Sequence, residues 1–350
     1  MKTEHILIIR FSAMGDVAMT VPVVQALARQ YPHLRITFLS RPFARPFFEG
    51  LAPNVGFMAA DIKNEYNGIR GLNALYKRIA AKNITAVADL HDVLRSSYLR
   101  FRFNLARYRV EHIDKHRTQR QRLVATAHKV MKPLPTAFQN YADVFAKLGY
   151  PVKLDFTSIF SPQGGNIRIL PPEIGTKKAF QEWIGVAPFA AHKQKVYPPE
   201  MLEKMITMLT KEHPSCRVFI FGKGPLEDPI INGIVSRNPQ CINASAVLNG
   251  ISQELVLMSH LDVMVSMDSA NMHFASLVNT PVVSIWGATH PYAGFMGWGQ
   301  NEHNAVQIDL ACRPCSIFGN KPCLRGDLAC MRNISPEMVY ERVKQVLNKK

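Results

Sequence analysis

The chain has 350 residues, of which 47% are hydrophobic and 19% are charged. This composition excludes a disordered chain and supplies enough apolar side chains for about two domains. The net charge of +16 favours a polyanionic partner, such as nucleic acid, an anionic membrane surface or a phosphorylated substrate.

The sequence predicts no membrane-spanning helix, because nowhere do about 18 apolar residues follow one another. The first apolar run, Ile6 to Ile9, is too short for a signal peptide and is followed by a Gly15-Asp16 turn. We therefore expect a cytoplasmic protein.

The first half of the sequence alternates strand and helix patterns. His5–Arg10 is rich in β-forming residues, and after a short turn Val17–Tyr31 carries apolar residues at helical spacing. Arg35–Ser40 and Ile84–Leu90 are predicted as further strands. The second of these is almost wholly apolar, which is typical of a parallel strand buried on both faces. This alternation predicts βαβ units and a parallel sheet.

Proline and glycine pairs between Ser161 and Lys178 predict a linker between two domains. We therefore expect a first domain over residues 1–165 and a second over residues 166–334. The last helix, residues 335–350, is expected to pack back on the first domain.

The second half repeats the strand and helix alternation. Ser252 is a candidate N-cap for one of its helices, and Ser335-Pro336 is a typical opening for the last one. The predicted strands are Trp183–Pro188, Arg217–Gly222, Asp262–Asp268 and Pro281–Gly287, and the predicted helices are Pro198–His213, Ser252–Leu261, Ser269–Val278 and Ser335–Asn348. The fold class predicted from the residues is thus α/β, in two successive halves.

Open α/β sheets bind ligands beyond the carboxyl ends of their strands, so the residues after each strand are the candidates for chemistry. Ser12, Gly15 and Asp16 follow the first strand, but the G-x-G-x-x-G dinucleotide pattern is absent. Asp16 is either an acid placed against a helix dipole or a general base that accepts a hydroxyl proton.

The second half offers two further groups at strand ends. Lys193 and Lys195 follow the strand Trp183–Pro188 and could neutralise a diphosphate. Asp268 and Ser269 stand at a strand end and a helix start, with His273 one helical turn further on. The carboxylate could accept hydrogen bonds from sugar hydroxyls, and free amides at the helix start could hold a diphosphate. The alternative is a cap, a dipole partner and a packed histidine.

Two clusters remain open on the residues alone. Residues 91–132 contain eleven Lys or Arg and three acids, so half of the net charge lies in this segment. It is either a solvated surface or an anion-binding patch. Cys312, Cys315, Cys323 and Cys330 begin with C-x2-C spacing and are either packed thiols or a structural zinc site.

Taken together, the motifs resemble glycosyltransferase family 9, the ADP-heptose:lipopolysaccharide heptosyltransferases. The segment Arg10–Val17 resembles the family's basic-x-Ser-x-x-Gly-Asp motif, and Lys195-Val-Tyr197-Pro198 resembles its Lys-x-Trp-Pro segment. The segment from Asp268 to Ala275, with Pro281 and Gly287-Ala-Thr289 after it, resembles the donor-sugar motif. The likeness extends in order over nearly the whole chain, including the cysteine-bearing tail.

The resemblance implies a GT-B fold, two Rossmann-like doubly wound domains facing a cleft, and an inverting transfer that requires no metal or other cofactor. Asp16 would be the catalytic base, and Lys195 would stabilise the departing ADP. Asp268 would hold the hydroxyls of the donor heptose. The remaining residues that would bind the donor are Ser12, Gly15, Lys193, Gly222, Glu227, Ser269, Ala270, Asn271 and His273.

The resemblance also gives the basic segment a partner, a core-oligosaccharide lipid that carries phosphate and Kdo carboxylates. It implies peripheral contact with the cytoplasmic face of the inner membrane. Arginine suits bidentate contacts with such anions. The arginines expected to bind this acceptor are Arg95, Arg100, Arg102, Arg117, Arg120 and Arg122.

Departures from the family pattern keep two other hypotheses open. Tyr197 stands where the middle motif has tryptophan. Gly224 and Glu227 follow the strand-end glycine, Gly222, at a spacing that differs from some family members, so the donor could be a UDP- or GDP-sugar. The net charge also allows a nucleic-acid-binding protein, but no motif of that class is recognisable, so we expect no nucleic-acid partner. An inactive nucleotide-sugar-binding protein is a further alternative, disfavoured by the presence of both Asp16 and Lys195.

Overall fold

The computed structural model describes residues 4–349, which form two compact units. The first comprises the residues up to Lys115 together with Thr136–Phe156, and the second comprises His116–Pro135 together with the residues from Thr157 onward. Segment 116–135 therefore belongs to the second unit, although the chain on both sides of it belongs to the first. The expected boundary at residue 165 also moves, because the second unit already includes residues 157–165.

The elements of the first half follow the predicted alternation. The strands are β1 (His5–Ile9), β2 (Arg35–Ser40), β3 (Val55–Ala59), β4 (Ala86–Asp89) and β5 (Arg109–His112). The helices are α1 (Met14–Ala18), α2 (Val21–Gln30), α3 (Arg45–Phe48), α4 (Gly68–Ala80), α5 (Leu94–Leu105), α6 (Arg117–Leu123) and α7 (Ala137–Lys147). The single helix predicted over Val17–Tyr31 is divided into α1 and α2, with the Thr20 hydroxyl donating to the carbonyl oxygen of Val17 at the break.

The sheet of the first unit is parallel, with strand order β3-β2-β1-β4-β5 within the described residues. All five residues of β1 are buried, as expected for a central strand covered on both faces. In the register of β1 and β4, Ile9 lies opposite Asp89. The loops that follow these two strands therefore leave the sheet side by side.

The second half also follows the predicted alternation. Its strands are β6 (Trp183–Ala187), β7 (Arg217–Ile220), β8 (Cys241–Asn243), β9 (Val263–Met267), β10 (Val282–Ile285) and β11 (Ala305–Val306). Its helices are α8 (Pro199–Glu212), α9 (Asp228–Arg237), α10 (Ala244–Val247), α11 (Ile251–Met258), α12 (Ala270–Leu277), α13 (Ala329–Arg332) and α14 (Pro336–Leu347).

The sheet of the second unit is also parallel, with order β11-β10-β9-β6-β7-β8 within the described residues. Ala187 of β6 lies opposite Ser266 of β9, and Met267 lies opposite Ile285 of β10. The carboxyl ends of β6, β9 and β10 thus form one edge. In the part of the chain that the structure describes, no helix has the length and apolar character needed to cross a bilayer.

Two further predictions are wrong. Gly250, and not Ser252, is the N-cap residue of α11, because a φ of +79° at this position suits glycine. The last helix, α14, was expected to pack on the first domain. Its apolar face, with Val339, Tyr340 and Val343, instead packs in the core of the second unit. Ser335 caps α14 as predicted, since its side chain accepts a hydrogen bond from the amide of Met338.

Candidate functional site

In the first unit, Asp16 lies in an ion pair at the carboxyl end of β1. Residue Arg10 is 93% buried, and Nη2 of its guanidinium lies 3.0 Å from Oδ2 of Asp16. The same oxygen accepts a hydrogen bond from the amide of Ala13 at 3.1 Å, while the phenol of Tyr141 donates to the backbone carbonyl of Asp16. The ion pair favours the ionised carboxylate, which is the form that can accept a proton.

His91 joins this group from the loop after β4. Its Nδ1 accepts a hydrogen bond from the amide of Phe11 at 3.4 Å, and its Nε2 lies 3.3 Å from the hydroxyl of Ser12. Burial, followed by the nearby charge of Arg10, lowers the pKa of His91 to about 3. The imidazole is therefore neutral near pH 7, and because Nδ1 accepts, the proton resides on Nε2 and is donated to Ser12.

Asp89 holds the loop that carries His91. Its buried carboxylate accepts hydrogen bonds from the amides of His91 and Asp92 at 2.9 and 3.0 Å. Arg100 contacts the carboxylates of both Asp89 and Asp92 at 3.2 Å. Arg100, which the sequence analysis assigned to acceptor binding, therefore forms ion pairs within the protein at this strand end.

In the second unit, Lys195 and Asp268 meet at the edge formed by β6 and β9. Their Nζ and Oδ2 atoms are 3.3 Å apart, and the two side chains are only 13% and 9% exposed. The structure thus brings together two residues that the sequence analysis placed in separate motifs 73 positions apart. Because both side chains are largely buried, removing either one would leave the other as an unpaired buried charge.

The donor motif continues into the start of α12. The hydroxyls of Ser266 and Ser269 are 3.2 Å apart, and Ser269, the N-cap residue, makes no side-chain hydrogen bond to α12 within the described residues. The first amides of α12, at Ala270 and Asn271, are thus open to an anion. His273 follows in the same helix and is 93% buried.

A second group lies at the carboxyl end of β7. The amide of Gly222 donates to the hydroxyl of Ser245 at 3.0 Å, and this hydroxyl donates to Glu254 at 3.3 Å. A Cβ at Gly222 would lie 3.1 Å from Oε2 of Glu227, so these two residues are neighbours. Burial raises the pKa of both Glu227 and Glu254. Ser245 and Glu254 were not predicted as site residues.

The sequence analysis did not predict three further residues that contact or position the site residues, namely Gly319, Arg313 and His91. Gly319 has a φ of +76°, and a Cβ on it would lie 2.5 Å from Cγ of Lys195, so only glycine fits beside that lysine. Buried Arg313 donates to the carbonyls of Gly287 and Thr289, which fixes the loop after β10. His91 directly follows a predicted strand and was findable from its position, but nothing in the sequence points to Arg313 or Gly319.

The arginines of the basic segment do not share one surface role. Arg95 is exposed on α5, whereas Arg102 donates to Asn73 and stacks over the ring of Tyr76. Arg117, Arg120 and Arg122 lie on α6 in the second unit. Arg120 packs over two aromatic rings, with centroid distances of 5.1 Å to Phe295 and 5.7 Å to Phe318.

Three other residues of the predicted motifs, Lys193, Tyr197 and Gly15, lie on the surface, in the core and within a helix, respectively. Lys193 is exposed in the turn after β6. Tyr197 is fully buried and donates from its hydroxyl to the carbonyl of Ile334 at 2.8 Å, so it serves packing. Gly15 lies within α1.

The four clustered cysteines, Cys312, Cys315, Cys323 and Cys330, line one cavity. Burial raises the pKa of the Cys330 thiol to about 11. Among residues 4–349 no three His, Cys, Asp or Glu side chains are arranged to hold a metal ion. The zinc hypothesis stays a hypothesis.

Sequence comparisons find relatives that are described as heptosyltransferases. "Lipooligosaccharide heptosyltransferase 2" of Haemophilus influenzae is 23% identical over 99% of this chain and 100% of its own length. The protein of the same name from Campylobacter jejuni is 28% identical over 133 residues, and this match spans 40% of that relative and 37% of this chain.

Solved structures share the fold. The glycosyl transferase family 9 structure from Veillonella parvula superposes with a TM-score of 0.74 at 18% identity, covering 100% of this chain and 99% of that one. The E. coli heptosyltransferase WaaC with ADP gives 0.66 at 17% identity, covering 98% and 99%. The expected GT-B fold, with two parallel-sheet α/β domains, is thereby confirmed.

The model of the family described as "Glycosyltransferase family 9 (heptosyltransferase)" matches residues 72–321, which is well over half of the chain. This match includes the Lys195 and Asp268 motifs, in the order that the sequence analysis expected. The chain belongs to glycosyltransferase family 9.

Proposed function

We propose that this chain transfers heptose from ADP-heptose to a lipopolysaccharide core acceptor that bears Kdo and phosphate. The observation that carries the proposal is the buried Lys195–Asp268 pair, 3.3 Å apart at the carboxyl ends of β6 and β9, in a chain of this family. Two structural neighbours are described with ADP and with ADP-2-deoxy-2-fluoro heptose, which supports the choice of donor.

In this proposal the second unit holds the donor. Lys195, the first amides of α12, at Ala270 and Asn271, and the N-cap residue Ser269 hold the diphosphate, with Lys193 and His273 nearby in sequence. Asp268 accepts hydrogen bonds from heptose hydroxyls while its other partner, Lys195, keeps it in place. These groups are fixed before reaction, so they stabilise the charge that develops on departing ADP. Because they supply the positive charge themselves, the proposed reaction is metal-independent.

Gly222 and Glu227 are proposed to contact the nucleoside part of the donor. A Cβ at position 222 would contact Glu227, Ile231 and Phe189 at 3.1 Å, which is tight, so a side chain there would press on Glu227. The carboxyl group of Glu227 is suited to hydroxyls such as those of a ribose. The bond from Gly222 to Ser245, and from Ser245 to Glu254, keeps this strand end in position.

The first unit supplies the proton acceptor. Asp16 takes the proton of the acceptor hydroxyl, the hydroxyl oxygen forms a bond to the anomeric carbon of the heptose, and the bond from that carbon to the diphosphate breaks. ADP leaves with the bonding electrons, and attack opposite to the leaving group inverts the anomeric centre. Arg10 orients the Asp16 carboxylate, and Ser12, held by His91, lies beside it.

The acceptor is proposed to be an anionic glycolipid at the cytoplasmic face of the inner membrane, reached by peripheral contact. Exposed arginines suited to its phosphates are Arg95, Arg117 and Arg122. Arg100, Arg102 and Arg120 already have partners within the protein and would contribute mainly to the local positive field.

Calorimetric titration of the pure protein with ADP, UDP, GDP, CMP and NAD tests the donor without any acceptor. Selective binding of ADP is expected. A preference for UDP or GDP would contradict the heptosyl donor and favour another nucleotide sugar on the same fold. Absence of binding to all five would contradict the donor site itself and favour an inactive relative or a nucleic-acid-binding protein.

A further inference from the structure

Helix α5 carries apolar residues on two opposite faces. Leu99 and Phe103 are fully buried in the core of the first unit. Leu94, Phe101 and Leu105 are instead 89%, 61% and 71% exposed. With 3.6 residues per turn, these three side chains point within about 40° of one another. We call these three residues the outer stripe.

The outer stripe departs from the usual pattern of a surface helix. Such a helix buries one apolar face and presents charged or polar residues to water. Single exposed apolar side chains are common, but apolar side chains aligned along the outside of a helix indicate an interaction surface. The inner face of α5 already supplies the packing that the fold requires, so the outer stripe is not explained by the core.

The outer stripe lies in a strongly basic part of the first unit. Residues 68–107, which include α4 and α5, contain eight Lys or Arg and two Asp. Both acids, Asp89 and Asp92, lie in ion pairs with Arg100. On α4, which packs against α5, Arg70, Lys77 and Arg78 are exposed. Arg95, on α5, is exposed next to Leu94.

An apolar stripe among cations fits one kind of partner best. A helix lying in the surface of an anionic bilayer places its apolar side chains among the acyl chains and its basic side chains near the lipid phosphates. A specific protein partner requires about 800 Å² from each side, which is more than three side chains on one helix offer. Charge complementarity therefore selects the anionic membrane.

We propose that the outer stripe of α5, with Arg95 beside it, docks this protein on an anionic lipid bilayer. α5 begins immediately after the Asp89–Asp92 loop, whose His91 contacts Ser12 next to the proposed base. Docking through α5 brings this strand edge to the lipid surface. This inference deepens the proposed function, on which its link to a lipid-borne acceptor rests.

Flotation of the full-length protein with vesicles tests the docking surface. We expect binding to vesicles of phosphatidylglycerol and phosphatidylcholine, and at least tenfold weaker binding to phosphatidylcholine alone. The triple variant Leu94→Gln, Phe101→Gln, Leu105→Gln should lose at least tenfold in binding to the anionic vesicles. A matched control changes two exposed apolar residues of the second unit, Phe180→Gln and Leu324→Gln, and should bind as the unchanged protein does.

Electrostatics give a second readout. Arg95→Gln should weaken binding to the anionic vesicles about fivefold, which corresponds to about 1 kcal/mol for one arginine near such a surface. Raising the salt from about 0.1 M to about 1 M shortens the screening length from ~10 Å to ~3 Å and should weaken binding as well. Phe101→Glu, a single exposed change, should reduce binding even if the triple variant fails to fold.

Two results would overturn the docking surface. One is binding of Phe101→Glu and the triple variant to anionic vesicles with unchanged affinity. The other is a sedimentation result in which the unchanged protein is a dimer and the triple variant is a monomer, since a second copy would then cover the stripe.

ADP titration of the same samples separates the two proposals: ADP binding should be equal in the unchanged and triple-variant proteins. If neither binds ADP, the proposed function fails, while the vesicle result still decides the docking surface.

Discussion

Arg10 gives Asp16 a fixed position at the end of β1, because the buried guanidinium contacts the carboxylate on one side and the carbonyl of Leu90 on the other. A general base needs such fixation, since proton transfer requires its oxygen within hydrogen-bond reach of the acceptor hydroxyl. The sequence singled out Asp16 from its place after a strand. The basic residue at the head of the motif acquires a physical role only in the folded unit.

Removing the proposed base, Asp16, should lower the rate of transfer without weakening donor binding. Asp16→Asn is expected to lower kcat by about 10²–10⁴-fold, the usual contribution of a general base. ADP affinity, measured by calorimetry, should stay within a factor of about two, because Asp16 lies in the first unit and the proposed donor site lies in the second. The control is Asp143→Asn, an exposed acid on α7 that should leave both quantities unchanged. Equal loss of turnover and ADP affinity would contradict the role of Asp16.

The Lys195–Asp268 pair predicts a strong effect on the donor. In Lys195→Ala the buried carboxylate of Asp268 loses its cation. In the proposed donor site, the diphosphate also loses a positive partner. We expect ADP to bind at least tenfold more weakly in calorimetry. Lys211→Ala, an exposed lysine on α8, is the matched control. Unchanged ADP affinity in Lys195→Ala would place the diphosphate elsewhere.

His91 predicts a pH dependence of stability. Its folded pKa of about 3 lies below the ordinary value of 6.5, so between these values the unfolded chain binds the proton and the folded chain does not. Stability from this group is therefore present above pH 6.5 and is lost as the pH falls toward 3. Between pH 7 and 5 the loss should be about 2 kcal/mol.

Urea unfolding followed by circular dichroism at pH 7 and pH 5 measures this loss. His91→Gln should show a smaller difference between the two pH values than the unchanged protein, by about 2 kcal/mol. His303→Gln, at an exposed position, should retain the full difference. A His91→Gln protein with the same pH dependence as the unchanged protein would show that His91 is protonated in the folded state.

At the scale of the element, strands were easier to predict than helix ends. β2 was predicted at Arg35–Ser40 and is found there, because a short apolar run between turns has few alternatives. The helix over residues 17–31 was not predicted to divide, since the apolar spacing of α1 and α2 continues across the break at Thr20. The cap of α11 depends on a positive φ at Gly250, which spacing does not reveal.

Helix α6 shows how similar arginines take different roles within one element. Arg120 packs over Phe295 and Phe318, whereas Arg122 is exposed on the same helix. Arg120→Ala should lower the free energy of unfolding by about 0.5–2 kcal/mol through the lost ring contacts. Arg122→Ala should change it by less than about 0.5 kcal/mol. Urea unfolding of both variants checks this, and equal effects would mean that the ring contacts contribute nothing.

The placement of segment 116–135 in the second unit was not predicted. This segment comes between β5 and α7 in the chain but belongs to the second unit, where Lys129 donates to the carbonyls of Cys312 and Pro314 at 2.9 Å. Sequence order suggested one continuous basic patch. In the structure Arg95, Arg100 and Arg102 belong to the first unit, and the arginines of α6 belong to the second.

Tryptophan fluorescence can test this assignment, because Trp183, Trp286 and Trp298 all lie in the second unit. Lys129→Ala should shift the fluorescence-detected unfolding transition to lower urea, by about 1–2 kcal/mol in free energy, through loss of hydrogen bonds from a charged donor. Lys132→Ala, exposed in the same segment, is the control. An unchanged transition in Lys129→Ala would show that the segment does not stabilise the second unit.

Hydrophobic periodicity and turn signals predicted the two α/β halves, the parallel strands and the strand-end residues Asp16, Lys195 and Asp268, because such signals are properties of neighbouring residues. Only the folded structure shows that Arg10 pairs with Asp16, that His91 contacts Ser12, that Lys195 pairs with Asp268 and that Gly319 packs on Lys195. It also decided which unit receives segment 116–135 and α14. These contacts join residues far apart in the chain, and their partners are selected by packing in three dimensions, for which no local pattern exists.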